Sequence, residues 1–152
     1  MISESGRSLI EIIGVLAVAA VMTAGAVRMY SVIRNRQIRT IAAAELEQTA
    51  KNIRLLMAPR GDYSGVSVDY LVKAGALANA YAPIGGDDWS ITTGDNAQSF
   101  SINLTGLTSG ECDFFVATPP AWATIIRVNG NSDDIQNYCM PGGDNRVSFI
   151  AK

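Results

Sequence analysis

Residues 6–27 read G-R-S-L-I-E-I-I-G-V-L-A-V-A-A-V-M-T-A-G-A-V. The 16 residues from Ile12 to Val27 carry no charge, slightly short of the roughly 20 that a helix needs to cross a bilayer. Starting the span at Ser8 completes it, and places Glu11 inside the apolar run. A carboxylate there costs about 2.5–3.5 kcal/mol on insertion scales, which marks it as a functional position. A secretory signal peptide would put a basic segment before the apolar core and a small-residue cleavage site after it. Here the small residue, Gly6, comes before the core, and a plain single-span anchor accounts for neither Gly6 nor Glu11.

Gly6, then Glu11 five positions on, then an apolar helix, resembles the class III signal of the type IV pilins. The resemblance implies that a dedicated peptidase cuts after Gly6 and methylates the new terminus at Arg7, leaving the helix on the mature chain. It also implies that Glu11 meets the terminal amine of a neighbouring subunit. Electrostatics supports that role, because an unpaired charge is penalised in lipid and an opposite charge on the next helix relieves the penalty. Two features depart from the pattern. Arg7 stands where the family usually has Phe or Met. The first six residues carry Glu4 and no Lys or Arg, whereas Arg28, Arg34, Arg36 and Arg39 follow the apolar run. Taken alone, that bias places the C-terminal side in the cytoplasm; the resemblance implies the opposite, and a misplaced start codon that trims a basic leader would reconcile them.

Downstream, the helical pattern continues. Tyr30, Ile33, Ile38, Ile41, Ala42, Leu46, Ile53, Leu56 and Met57 recur at steps of mostly three or four, interleaved with charged residues. No proline interrupts residues 8–58, and Pro59 with Gly61 closes the run. One helix of about 50 residues, about 75 Å long, is expected. Its second half would lay one apolar face against a domain. Gly14 and Gly25 are weak points in it, suited to close helix contacts or to local loosening.

From Arg60 the composition turns to Gly, Asp, Ser, Asn and Thr. Asp62 to Gly65 reads as a turn, and Ser67 as the N-cap of a short helix over 68–74 that ends at Gly75. Trp89, Ile91 and Thr93, then a turn at Gly94-Asp95-Asn96, then Phe100, Ile102 and Leu104 predict a hairpin. Thr108 and Glu111 have capping-box spacing for a second short helix through about Ala117, stopped by Pro119-Pro120. Strands are expected over 124–128 and 146–151, with Ser132 to Tyr138 irregular or a short helix between them. The predicted fold is α+β: a long N-terminal helix on a small antiparallel sheet, with residues 1–6 a leader, 7–59 the helix (7–27 transmembrane, 28–59 amphipathic) and 60–152 a globular head.

There is no histidine, which removes the commonest general base and metal ligand. Residues 1–59 hold seven Lys/Arg against four Asp/Glu, and residues 60–152 hold five against ten. An acidic head argues against nucleic-acid binding, which needs a basic surface. Cys112 and Cys139 fit no four-ligand metal site. A disulfide is favoured over two free thiols; it would close a loop of about 28 residues, contribute roughly 3.5 kcal/mol and place the head in an oxidising compartment.

The stretch F-S-I-N-L-T-G-L (100–107), Cys112 five positions on, Tyr138-Cys139 and N-R-V-S-F (145–149) is similar to the type IVb branch of these pilins, which includes the toxin-coregulated pilin and the thin-pilus pilins of conjugative plasmids. It implies a bridged C-terminal region on a filament surface that sets subunit contacts, in which Arg127, Asp133, Asp134 and Asp144 are candidates. The expectation is a structural subunit without cofactor, metal or enzymatic activity. It would form a homo-oligomeric helical filament, its partners being the inner membrane, the prepilin peptidase and the assembly machinery, with the head periplasmic before assembly and on the cell surface after it. A minor pilin or a secretion-system pseudopilin is the nearest alternative. A membrane-tethered binding or enzymatic domain using Asp87, Asp88, Asp133 and Asp134 as acid/base groups or cation ligands is more distant, since their spacing matches no Ca²⁺ loop.

Overall fold

The computed structural model describes residues 2–130 and 138–152, with side chains from Ser8 onward. Helix α1 spans Ile2–Met57 without a break, as the absence of proline allows. A single 3₁₀ turn, Ala58–Arg60, follows, and Gly61 ends it at φ 79°, a left-handed conformation that only glycine adopts cheaply. Residues up to Ile38 form one compact unit and residues from Arg39 to Lys152 another.

In the second unit α1 contributes a buried row, Ala42, Leu46, Ala50, Ile53 and Met57, each at most 1% exposed. Steps of three and four residues bring all five onto one face. The expected stripe is therefore corrected in part: Ile33, Ile38 and Ile41 are 48%, 43% and 57% exposed. Ile41 precedes Ala42 by one residue, which turns it about 100° away from the buried row. Ala42 belongs to the expected stripe, and Ala50, which hydrophobicity alone undervalues, joins it in the core.

Four antiparallel strands form one sheet: β1 (Ser90–Thr93), β2 (Phe100–Leu107), β3 (Ile125–Val128) and β4 (Asn145–Ala151) in the order β1-β2-β4-β3. The predicted hairpin is β1 with β2, pairing Ile91 with Ile102. β4 inserts beside β2, pairing Ile102 with Phe149 and Leu104 with Val147, and leaves β3 at the edge. Period-two alternation sends Phe100, Ile102, Leu104, Val147, Phe149 and Ala151 inward, all 0% exposed. They form one core with the α1 row.

Two short helices close the ends. α2 (Val68–Lys73) starts at Ser67, whose Oγ accepts from the Tyr70 N–H at 3.1 Å. α3 (Ser109–Ala117) starts with the predicted capping box: Thr108 Oγ1 accepts from the Glu111 N–H at 3.2 Å, and Glu111 Oε1 accepts from the Thr108 N–H at 3.3 Å. α3 lays Phe115 against Phe149, ring centroids 5.3 Å apart. Polar ties fix α1 to the rest of this unit. Arg54 donates to the carbonyls of Lys152 and Trp122 at 3.1 and 3.0 Å, and Asn52 donates to that of Ala76 at 3.0 Å.

Candidate functional site

Two regions carry the sequence-predicted residues, one in each compact unit. In the first, Leu9, Ile10, Ile12, Ile13, Val21 and Met22 are between 54% and 73% exposed. At 100° per residue these positions surround the helix, so no single stripe could satisfy them. Each such side chain gains about 1.5–3 kcal/mol on burial. The helix therefore requires an apolar surrounding on every side. Among the described residues it is the one helix long and apolar enough to cross a membrane, and none of its apolar window is buried.

Gly6 and Arg7 lie in the α1 backbone, and their side-chain environment falls outside the described residues. Glu11 is exposed and has neither an ion-pair nor a hydrogen-bond partner among the described residues. Thr23, by contrast, satisfies its hydroxyl within the helix, donating to the Ala19 carbonyl at 2.8 Å. A Cβ added at Gly14 or Gly25 would meet nothing within 4 Å, so packing within the chain does not require a glycine at either position.

In the second unit Cys112 and Cys139 form a disulfide, with Cα atoms 5.9 Å apart, and no free thiol remains. Cys112 is fully buried on α3, and the bridge draws the segment before β4 onto it. Beside the bridge sits Asn145, 1% exposed. Its amide donates to the carbonyls of Leu107 and Met140 at 3.2 and 2.9 Å, and its Oδ1 accepts from the Met140 N–H at 2.7 Å and from Asn129 Nδ2 at 3.2 Å. Asn129 in turn pairs with the Arg146 backbone through both its own N–H and its side-chain oxygen. Asn145 thus joins the end of β2, the turn after β3 and the residue after Cys139. Its place in N-R-V-S-F was visible in the sequence, but its role as a junction was not, because its partners are backbone groups far apart in the chain.

The remaining candidates do not converge. Arg127, Asp87, Asp88 and Asp144 are exposed, and Asp133 and Asp134 lie outside the described residues. The same holds for most of the expected Ser132 to Tyr138 element. Asp88 accepts from the Thr105 hydroxyl, and that bond holds its carboxyl below the usual range. Asp62 is lowered likewise by the Ser64 hydroxyl and N–H, at 2.7 and 3.1 Å, within the predicted turn. The Asp62 contact belongs to a local turn, and the Asp88 contact ties its loop to β2. Among the described residues, no three His, Cys, Asp or Glu side chains gather as a metal site would need.

No family model and no curated protein matches this sequence. The structure is similar to the crystal structure of TcpA, a type IV pilin from Vibrio cholerae El Tor biotype, with a TM-score of 0.60 at 16% identity over 76% of this chain and 99% of that one. A continuous helix packed on a four-stranded antiparallel sheet, with a disulfide before the last strand, is the type IV pilin fold.

Proposed function

We propose that the chain is the structural subunit of a type IVb-like pilus. It is held in the inner membrane by residues 8–27, cut after Gly6 by a prepilin peptidase, methylated at Arg7 and polymerised by burying its N-terminal helix among those of its neighbours. The observation that carries this reading is a helix exposed and apolar on every side over residues 8–27, with an acid, Glu11, that has no partner among the described residues. Bundling such helices replaces lipid or water by apolar contact and gives Glu11 an opposite charge, the terminal amine of the next copy. Burial supplies the driving force and Glu11 the register.

Intact-mass measurement and N-terminal sequencing of protein sheared from the cell surface test the proposal. The expected product begins at methylated Arg7 and is two mass units light for the disulfide. A full-length chain confined to the membrane fraction would overturn it, and would point to a tethered head whose Arg7 blocks processing.

A further inference from the structure

We propose that the head carries a saccharide site, a cleft between α1 and residues 76–83 that takes a neutral hexopyranoside. The cleft has a volume of about 310 Å³ and is lined by Glu45, Gln48 and Asn52 from α1, by Asn79 and Tyr81 from the facing loop, and by the largely buried Trp89 just before β1. That size lies at the lower end of the roughly 300–1,000 Å³ of small-molecule sites. The two walls differ in chemistry. Tyr81 is 71% exposed, although every other large aromatic in residues 60–122 packs into or against the core. An open aromatic face at the rim of a polar cleft suits the C–H face of a pyranose ring.

The opposite wall presents a carboxylate and amides. Asn52 is held by its bond to the Ala76 carbonyl at 3.0 Å, and Gln48 Nε2 donates to Asn52 Oδ1 at 3.0 Å. Asn79 Oδ1 accepts from the Tyr81 N–H at 3.1 Å, which fixes the Tyr81 backbone. Trp89 is anchored through its indole N–H to the Ala80 carbonyl at 2.9 Å. Among the described residues this leaves the Glu45 carboxylate, the Gln48 carbonyl oxygen and the Asn79 amide nitrogen without side-chain partners. Gln48 and Asn79 are held by these bonds beside an aromatic ring, and with Glu45 they match the alternating donors and acceptors of sugar hydroxyls. The carboxylate selects against acidic sugars by charge repulsion.

The test is titration of the full chain in zwitterionic micelles, free of sugar-headgroup detergent, with methyl β-D-galactopyranoside and methyl β-D-glucopyranoside. The readout is the indole and side-chain amide resonances. At least one glycoside should produce saturable shifts at Trp89, Gln48, Asn52 and Asn79. Tyr81→Ala and Glu45→Gln should each weaken binding by about tenfold or more, while Tyr138→Ala, which removes an exposed ring elsewhere, should leave it unchanged. Absence of saturable shifts with both glycosides, shifts at Trp122 instead of Trp89, or equal affinity after Tyr81→Ala would overturn the proposal. Because the readout is on the unassembled chain, failure here leaves the filament proposal untouched, and failure of surface assembly leaves this site untouched.

Discussion

Glu11 and Asn145 are polar residues placed under opposite conditions. Glu11 is exposed on an apolar helix without a partner among the described residues, whereas Asn145 is enclosed with its side-chain groups bonded. Removing each should therefore fail differently. Glu11→Ala deletes no bond among the described residues, so the head should melt as the wild type does while surface filaments become few or absent; electron microscopy and a parallel thermal melt separate the two effects. Abundant normal filaments would sink the charge-pairing role. Asn145→Ala strands the Leu107 carbonyl in a buried setting and the Met140 backbone groups in a part-buried one; an unmet buried group costs about 1–3 kcal/mol. The expected loss is about 2–4 kcal/mol in urea unfolding, and a loss below ~0.5 kcal/mol would mean that water replaces the amide.

Elements are where the sequence was most readable, and the disulfide shows both the reach and the limit of that reading. Replacing Cys112 and Cys139 together by serine frees a loop whose ends are 27 residues apart. The chain-entropy account gives a loss of roughly 3.5 kcal/mol, measured as a lowered urea midpoint with a steeper slope, because the unbridged unfolded chain exposes more surface; an unshifted midpoint would mean that the Asn145 junction holds this segment unaided. The helix starts at Ser67 and Thr108 and the β1–β2 hairpin were legible because their signals are local: a cap bonds within three residues and an alternating strand declares its own face. Three things were not. The insertion of β4 between β2 and β3 is a long-range pairing. The buried row of α1 runs through Ala50, too small to stand out, while Ile38 and Ile41 stood out and proved exposed. The Gly85–Gly86 loop docks on β2, with the Gly86 N–H donating to the Thr105 carbonyl at 2.7 Å. A side chain at Gly85, which has φ +86°, would strike that same carbonyl. Pro83, Gly85 and Gly86 by themselves read only as a loop, since the atoms that require glycine lie 20 residues downstream.

At the scale of the molecule, the two compact units make different demands on solvent. Among the described residues, every member of the buried core lies at Ala42 or beyond, and the apolar segment 8–27 of α1 contributes nothing to it. Its contribution to stability must then come from surroundings rather than from the head, which separates folding of the head from assembly. A chain beginning at Arg28 should accordingly be soluble without detergent and monomeric, and should unfold in one cooperative transition at the urea midpoint of the full-length head in micelles. The full chain should require detergent and should aggregate or polymerise when it is withdrawn. Light scattering coupled to size exclusion, with near-ultraviolet circular dichroism for the packing of Trp89, Phe115 and Trp122, measures both halves. If the shortened chain lost its near-ultraviolet signal, residues 1–27 would be part of the fold, and an apolar helix that also stabilises its own head could not be given over wholly to a bundle of neighbours.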